Sequence, residues 1–267
     1  MKWAGGKYHL IDAIRRHLPE ADVLIEPFIG AGSVFLNTDY SKYLLTDINA
    51  DLINLYNLLK DNPERFIVDA KAFFVSAKNE ADCYYALRNE FNQSQDPYFR
   101  SLLFLYLNRH GYNGLCRYNK SGGFNVPFGR YKKPYFPQNE LEIFAEKARR
   151  AEFVCCNYEE TFGRVNQGDV VYCDPPYAPL SHTACFTSYS SGGFGQAEQK
   201  RLAQLAEWVS REKSATVLIS NHELDFTRQI YHAASLSSLQ VRRTISRKGK
   251  ERIKVNELLA LYHSKTC

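Results

Sequence analysis

The segment with the clearest chemical potential is Asp174-Pro175-Pro176-Tyr177, which follows the apolar run 170–173. The two prolines prevent the predicted strand from continuing and fix the backbone at its carboxyl end. Asp174 and nearby backbone carbonyls, including that of Pro175, would form a rigid set of hydrogen-bond acceptors. Such a set suits a planar amino group on a ring, and Tyr177 offers an aromatic face to that ring. We therefore predict Asp174, Pro175 and Tyr177 as catalytic residues; the alternative is a strand that ends at an ordinary surface turn.

A second candidate site is the glycine-containing turn Gly30-Ala31-Gly32, which follows a predicted strand at 22–28. In a dinucleotide-binding fingerprint the third glycine would fall at Phe35, where a bulky side chain argues against NAD. Asp47, at the end of the next predicted strand, is placed to accept hydrogen bonds from ribose hydroxyls. The pattern indicates a ribose-containing ligand for which no pyrophosphate has to be held.

Residues 108–133 combine positive charge with aromatic side chains. The window holds six Lys or Arg, five aromatic residues and five glycines, and it holds no Asp or Glu. Solvated surfaces normally mix the two signs of charge, so this composition favours a partner rich in phosphate. Arg can donate two hydrogen bonds to guanine, and aromatic rings can stack on bases. We predict a DNA-binding hairpin at about 111–133 with its tip at 120–123; a surface loop that is basic by accident is the alternative.

A second basic run lies at 242–254, with seven Lys or Arg and one Glu. We predict a hairpin there that contacts phosphates and carries less sequence information.

The apolar pattern that must position these sites is of the α/β type. Strands are predicted at 22–28, 43–46, 152–156, 169–173, 215–220 and 256–262, and a helix at about 196–212. Asn49 is a suitable N-cap for a helix after the second strand, and 62–107 is helical in pattern. A parallel sheet interrupted by roughly a hundred residues suggests an inserted domain. We therefore predict a catalytic domain of 1–50 and 149–267 and an inserted domain of 51–148.

Composition excludes several other classes of protein. The net charge is +5 and 45% of the 267 residues are hydrophobic, which suits a folded, mildly basic protein. We expect no membrane span and no export signal. The seven cysteines include no Cys-x-x-Cys and no His-Glu-x-x-His occurs, so we expect reduced thiols and no metal. The signature of zinc-dependent base deaminases is also missing from the sequence.

Three motifs occur in an order that identifies a family. Lys2-Trp3-Ala4-Gly5-Gly6-Lys7, then Glu26-Pro27-Phe28-Ile29-Gly30-Ala31-Gly32, then Asp174-Pro175-Pro176-Tyr177 resemble those of α-group DNA adenine-N6 methyltransferases. The chain looks most like the Dam family, which methylates adenine in GATC, and the similarity runs from Lys2 to about Leu261. It implies a Rossmann-like methyltransferase sheet that uses S-adenosylmethionine, and an inserted, mainly helical target-recognition domain that carries the hairpin.

The resemblance also implies roles for individual residues. Trp3, Lys7, Asp47 and Asp174 would line the S-adenosylmethionine pocket, with Glu26, Phe28, Gly30 and Gly32 of the second motif beside them. Lys2, Asn113, Leu115, Arg117 and Pro127 would face the bases of duplex DNA, with Tyr112 inserted between them. Phosphate contacts by Arg109, Asn119, Arg130 and Lys132 are our inference from charge. We expect a cytoplasmic enzyme of bacterial or phage type, without a metal and without an obligate protein partner.

Two other functions compete with this interpretation. Methyltransferases that act on cytosine N4, on RNA or on protein glutamine also present a planar amino group to an Asp-Pro-Pro-Tyr or related motif. A sequence-specific DNA-binding regulator that has lost catalysis is the alternative from another class. The basic hairpin disfavours the first, and the intact Trp3, Gly30, Gly32, Asp47 and Asp174 disfavour the second.

Overall fold

The fold is built on one mixed sheet, seen in a computed structural model that describes residues 1–3, 5–178, 194–240 and 256–263. Its strands are Val23–Glu26 (β1), Lys42–Asp47 (β2), Ala151–Cys155 (β3), Val170–Cys173 (β4), Thr216–His222 (β5), Ser235–Gln240 (β6) and Asn256–Tyr262 (β7). They lie in the order β3-β2-β1-β4-β5-β7-β6. Strands β1 to β5 pair in parallel, whereas β7 is antiparallel to both β5 and β6. The predicted α/β class with a largely parallel sheet is confirmed.

The helices flank the sheet and fill the long connection between β2 and β3. They are Ile11–His17 (α1), Ser33–Asn37 (α2), Ala50–Asp61 (α3), Pro63–Lys71 (α4), Ala81–Gln93 (α5), Pro97–His110 (α6), Gln138–Ala148 (α7), Tyr158–Gly163 (α8), Gln196–Glu212 (α9) and Asp225–Ile230 (α10). Helix α9 has the predicted bounds. The Asn49 side chain accepts a hydrogen bond from the Leu52 N–H at 3.1 Å, which confirms Asn49 as the N-cap of α3.

The six predicted strands are all present, and the sheet has one further strand, β6, that the sequence did not predict. Its sequence, Ser-Leu-Ser-Ser-Leu-Gln, is poor in β-branched and aromatic residues. Strand β6 lies at the edge of the sheet and pairs with only one of the described strands, β7. Pairing with an apolar, buried neighbour therefore decides its conformation, and local sequence does not.

The core continues from the sheet into the helices between β2 and β3. Tyr56 of α3 lies 4.6 Å from Phe144 of α7 and 5.5 Å from Phe153 of β3, measured between ring centroids. Helix α6 is buried over most of its length, including the run Leu102–Leu107. The same apolar cluster reaches Phe124 and Val126 in the basic segment. This packing holds the basic segment against the rest of the molecule.

The basic segment, residues 108–133, forms two antiparallel arms, a first at 111–118 and a second at 124–128. Isolated bridges join them, Gly111 with Phe128 and Tyr118 with Phe124. At the tip the Asn119 N–H donates to the Gly123 carbonyl at 2.8 Å, and the Gly122 N–H donates to the Asn119 carbonyl at 3.0 Å. The turn thus lies where the sequence predicts it, although the arms lack continuous strand pairing.

Among the residues that the structure describes, no helix has the length and apolar character needed to cross a membrane.

Candidate active site and nucleic-acid interface

Three carboxylates meet at the carboxyl edge of the sheet. Glu26 is the last residue of β1, Asp47 is the last of β2, and Asp174 directly follows β4. Strand order reverses between β1 and β4, and such a reversal opens a crevice that binds ligands in open α/β sheets. The sheet therefore brings together residues that lie almost 150 positions apart in the sequence.

Asp174 forms an ion pair with Lys7. The Lys7 Nζ lies 2.7 Å from Asp174 Oδ1 and also donates to the Gly5 carbonyl at 2.7 Å. Lys7 is 5% exposed, whereas the Asp174 side chain is 24% exposed, so the ammonium is shielded from water and the carboxylate is partly open to it. Burial raises the pKa of Asp174, and the Lys7 ammonium opposes that rise. Lys7 thus favours the ionised form of a carboxylate whose pKa burial raises.

Side chains that the sequence analysis missed fix the backbone after Asp174. The Gln199 side chain donates to the Pro176 carbonyl at 2.7 Å, and the Asn221 side-chain oxygen accepts from the Ala178 N–H at 3.1 Å. The amide groups of Gln199 and Asn221 are themselves bonded at 2.9 Å. Both residues are fully buried, so they hold the turn rigidly at the edge of the crevice. Their contacts join distant segments and leave no local pattern.

Tyr177 projects into the same crevice and is held there by a carboxylate. Its hydroxyl donates to Glu257 Oε2 at 3.1 Å, and His222 meets its ring edge-on at 4.8 Å. The Lys7 Nζ lies 4.6 Å from the ring centroid. The aromatic face expected from the sequence is present, and the Lys7 ammonium lies over it. Glu257, at the start of β7, was not predicted.

Glu26 is buried with one oxygen unsatisfied. It is 2% exposed, and its Oε1 accepts no hydrogen bond from the residues that the structure describes. Burial, together with the nearby Asp174 carboxylate, raises the pKa of Glu26 to about 8. A buried acceptor without a donor is costly, and it marks a position where a ligand donor would be stabilised.

The raised pKa predicts a pH-dependent stability. Folded Glu26 keeps a proton that the unfolded chain releases above its ordinary pKa of 4.5. Stability is therefore lost as pH rises from 4.5 to about 8. Glu26→Gln should remove this loss. The difference in the free energy of unfolding between the variant and wild type should therefore grow by up to about 1.4 kcal/mol per pH unit, in favour of the variant. Urea unfolding across that pH range measures the difference, with Glu64→Gln on the exposed face of α4 as control. Parallel pH curves for wild type and Glu26→Gln would contradict the assignment.

Asp47 ties two loops of the crevice together. Its oxygens accept from the Gly30 N–H at 3.2 Å and from the Asn49 N–H at 3.0 Å. Burial raises its pKa, and these backbone bonds oppose the rise. Gly30 has a φ of +47°, and a Cβ there would lie 2.8 Å from Trp3 Nε1. Only glycine allows Trp3 to pack on this loop.

Phe28 and Gly32 complete the predicted cofactor motif. Phe28 stacks on Tyr158 with 5.7 Å between centroids and meets Phe194 edge-on at 5.5 Å. Gly32 is the N-cap of α2, with a φ of +69°. Two groups of predicted cofactor residues are thus neighbours: Glu26, Phe28, Gly30, Gly32, Asp47 and Asp174 end or follow β1, β2 and β4, while Trp3 and Lys7 contact Gly30 and Asp174.

Most side chains predicted to face the bases are exposed on the basic segment. Tyr112 is 39% exposed, and Asn113, Arg117 and Pro127 are exposed as well, whereas Leu115 is half-buried. The Arg117 guanidinium donates to the side-chain and backbone oxygens of Asn125 at 2.7 and 3.0 Å. Asn125, a partner across the two arms, was not singled out from sequence.

Lys2 is clamped against the basic segment by Asn108. The Lys2 N–H donates to Asn108 Oδ1 at 2.8 Å, and Asn108 Nδ2 donates to the carbonyls of Lys2 and Gly114 at 2.7 and 3.2 Å. Gly114 has a φ of +61°, and a Cβ there would lie 2.3 Å from Lys2 Cβ. The Lys2 Nζ lies 4.2 Å from the Tyr131 ring centroid. Lys2 therefore belongs to the same surface as Tyr112 and Asn113.

The residues predicted to contact phosphates differ in their surroundings. Arg130 and Lys132 are exposed. Arg109 donates to the Tyr135 carbonyl at 3.0 Å. The Asn119 oxygen accepts from the backbone of Ser121 and Gly123, so a phosphate contact would use its amide nitrogen. The second basic run, 242–254, lies outside the described residues.

Comparison with known proteins places the chain in a family. A family model for D12 class N6 adenine-specific DNA methyltransferases matches residues 3–245. The chain therefore belongs to this family of adenine-specific DNA methyltransferases, which are enzymes that act on DNA.

Individual relatives are similar over almost the whole chain. A DNA adenine methylase from Vibrio cholerae is 60% identical over 98% of this chain and 95% of its own length. The DNA adenine methylase of Serratia marcescens is 61% identical, with 98% and 97% covered. That of Escherichia coli K12 is 57% identical, with 98% and 94% covered. The predicted family is confirmed.

Proposed function

We propose that this protein transfers a methyl group from S-adenosylmethionine to N6 of adenine in GATC sites of duplex DNA. The observation that carries the proposal is the convergence of Asp174, Glu26 and Asp47 at the strand-order reversal, with Lys7 paired to Asp174 at 2.7 Å. The family membership and an exposed basic, aromatic surface support it.

The residues of the crevice fit the chemical groups of S-adenosylmethionine. The unsatisfied oxygen of Glu26 suits a cationic donor, which would favour the ionised carboxylate. Asp47 suits ribose hydroxyls, and Trp3 and Phe28 offer aromatic surface to the rest of the ligand. Gly30 and Gly32 let the loop approach closely. When bound, S-adenosylmethionine supplies a methyl group activated by the positively charged sulfur that carries it.

Asp174 and Pro175 act on the amino group of adenine. The N6 lone pair is delocalised into the ring, which makes N6 a poor nucleophile. Hydrogen bonds from the two N6–H groups to the Asp174 carboxylate and the Pro175 carbonyl favour a tetrahedral nitrogen with a localised lone pair. The carboxylate also stabilises positive charge as it grows on N6. Asp174 need not be a strong base, since N6 becomes acidic only after it is methylated, and the proton that it then loses passes to the Asp174 carboxylate or to water.

Lys7, Gln199 and Asn221 prepare these acceptors. Lys7 opposes the rise in the pKa of Asp174 that burial causes and so favours the ionised carboxylate. Gln199 and Asn221 fix the turn that carries Pro175, so little reorganisation is needed when adenine arrives. Tyr177 supplies a face on which the extruded adenine stacks.

The connection between β2 and β3 supplies DNA recognition in this proposal. Residues 51–148 form an inserted target-recognition domain, and 1–50 with 149–267 form the catalytic domain. Support comes from the absence of sheet strands between Asp47 and Ala151, a stretch that the structure describes throughout. Lys2, Asn113, Leu115, Arg117 and Pro127 face the bases, while Tyr112 enters the duplex as adenine is flipped out. Extrusion of one base costs a few kcal/mol.

Arg117 is expected to read one base pair. Arg117→Ala should reduce discrimination at that pair by about 1–3 kcal/mol, because a guanidinium recognises guanine through two hydrogen bonds. The measurement is kcat/KM on a GATC duplex and on duplexes with one pair changed at a time. Arg164→Ala, which removes an arginine paired with Glu152 far from the basic segment, is the control. If the preference at all four base pairs is unchanged in Arg117→Ala, the assignment of Arg117 to base readout is wrong.

The same panel tests the whole proposal when it is combined with calorimetric titration of S-adenosylmethionine. We expect the wild-type protein to bind the cofactor and to methylate the unchanged GATC duplex fastest. Cofactor binding without preference among the duplexes would overturn GATC specificity. DNA binding without cofactor binding would instead favour a regulator that has lost catalysis.

A further inference from the structure

The first arm of the basic segment alternates between two faces. Arg117 is exposed, whereas its neighbours Cys116 and Tyr118 point inward and are buried and half-buried. An extended chain places successive side chains on opposite faces. Whatever holds Cys116 and Tyr118 therefore sets the direction in which Arg117 projects.

Tyr118 is bonded to a buried carboxylate at the start of α3. Its hydroxyl donates to Asp51 Oδ2 at 2.7 Å. Asp51 is 9% exposed, and the Arg100 guanidinium donates hydrogen bonds to both of its oxygens at 2.8 and 3.0 Å. Arg100 is fixed in turn by the carbonyls of Phe91 and Ser94. Asp51 is thus a rigid acceptor, because a bidentate ion pair restricts its rotation.

A second contact joins the same two segments. The Asn49 Nδ2 donates to Cys116 Sγ at 3.5 Å. Asn49 also caps α3 and donates its N–H to Asp47 Oδ1 at 3.0 Å. The five residues 47–51 therefore connect the predicted ribose acceptor to both inward side chains of the arm.

We propose that Tyr118, anchored by Asp51, is a positioning residue that determines sequence specificity by fixing Arg117 for base readout. This inference rests on the proposed function, in particular on the role of Arg117. The bridges between the two arms are isolated, and one backbone bond, from the Asn125 N–H to the Arg117 carbonyl at 3.0 Å, holds Arg117 to the second arm. Neither contact joins the arm to the body of the protein, whereas the Tyr118–Asp51 bond does. Asn125 restrains Arg117 relative to the second arm, through the guanidinium and through the backbone carbonyl, whereas Tyr118 restrains the first arm relative to α3.

The test is Tyr118→Phe, which removes the hydroxyl and leaves the ring on Phe124, 5.7 Å away. We expect the kcat/KM ratio between GATC and the duplex changed at the Arg117 pair to fall about tenfold. We expect kcat on GATC to stay within about twofold. Tyr98→Phe, which removes an equally short hydroxyl bond to Asp69 away from the arms, should leave the ratio unchanged.

A double-mutant cycle separates positioning from general destabilisation. Added to Arg117→Ala, the change Tyr118→Phe should cause no further loss of discrimination, because both act through one contact. An unchanged ratio in Tyr118→Phe would overturn the inference, and so would an equal loss at all four pairs. If Arg117→Ala reduces discrimination at one base pair while Tyr118→Phe reduces it at none, only the positioning role fails. If Arg117→Ala itself leaves discrimination unchanged at every base pair, the base-readout role of Arg117 is wrong, and the inference about Tyr118 fails with it.

Discussion

Replacing Asp174 with asparagine is expected to reduce methyl transfer by about a thousandfold or more while duplex DNA remains bound. Asparagine preserves the size of the side chain and one acceptor oxygen, but it removes the negative charge that stabilises N6 as positive charge develops there. It also leaves the Lys7 ammonium, now 2.7 Å from a carboxylate oxygen, without its counter-charge. Single-turnover methylation and a gel-shift titration, run on the same preparation, measure the two properties.

A matched control lies at the other end of the same strand. Asp169 is a carboxylate more deeply buried than Asp174, and it accepts a hydrogen bond from the Asn166 N–H at 2.7 Å. It precedes β4, whereas Asp174 follows it. We expect Asp169→Asn to affect stability more than the rate of the chemical step. Rapid methylation by Asp174→Asn, or equal rate losses in the two variants, would rule out the proposed role of Asp174.

Replacing Lys7 with methionine is expected to lower activity at neutral pH by at least about a hundredfold. Lys7 opposes the rise in the pKa of Asp174 that burial causes. Without the ammonium, that pKa rises further and Asp174 stays protonated to higher pH. Because the carboxylate is the active form, the acid limb of the rate profile should move to higher pH, with partial recovery in alkali. The single-turnover rate as a function of pH measures this shift.

Lys60→Met provides the comparison for Lys7. Lys60 also donates to a backbone carbonyl, that of Ala151 at 2.8 Å, but it lies on α3 away from Asp174. Its replacement should leave the pH profile in place. An acid limb at the wild-type position in Lys7→Met would refute the idea that Lys7 keeps Asp174 ionised.

Local sequence was sufficient to predict the ends of helices and strands where adjacent residues determine them. The Pro-Pro pair ended β4 next to Asp174, and the Asn49 cap marked the start of α3. The apolar run of β7 gave the correct bounds of that strand. Strand β6 lacks such a signal, and only its pairing with β7 makes it a strand.

Long-range partners of the site were beyond local reasoning. Lys7 and Asp174 are 167 positions apart and Glu257 lies 80 residues beyond Tyr177, so their contacts exist only after the sheet has formed. Composition alone identified the acid-free basic window. It could not distinguish the outward Arg117 from the inward Tyr118, because that depends on how the arm packs on Asp51.

Transfer of labelled methyl from S-adenosylmethionine to two duplexes of equal composition, one with GATC and one with the site scrambled, tests the central claim most directly. After digestion to nucleosides, we expect label in N6-methyladenine from the GATC duplex alone. Equal labelling of both duplexes would contradict the proposed reading of sequence by the basic segment. Absence of label from both, with DNA still bound, would contradict the assignment of the crevice as a site of methyl transfer.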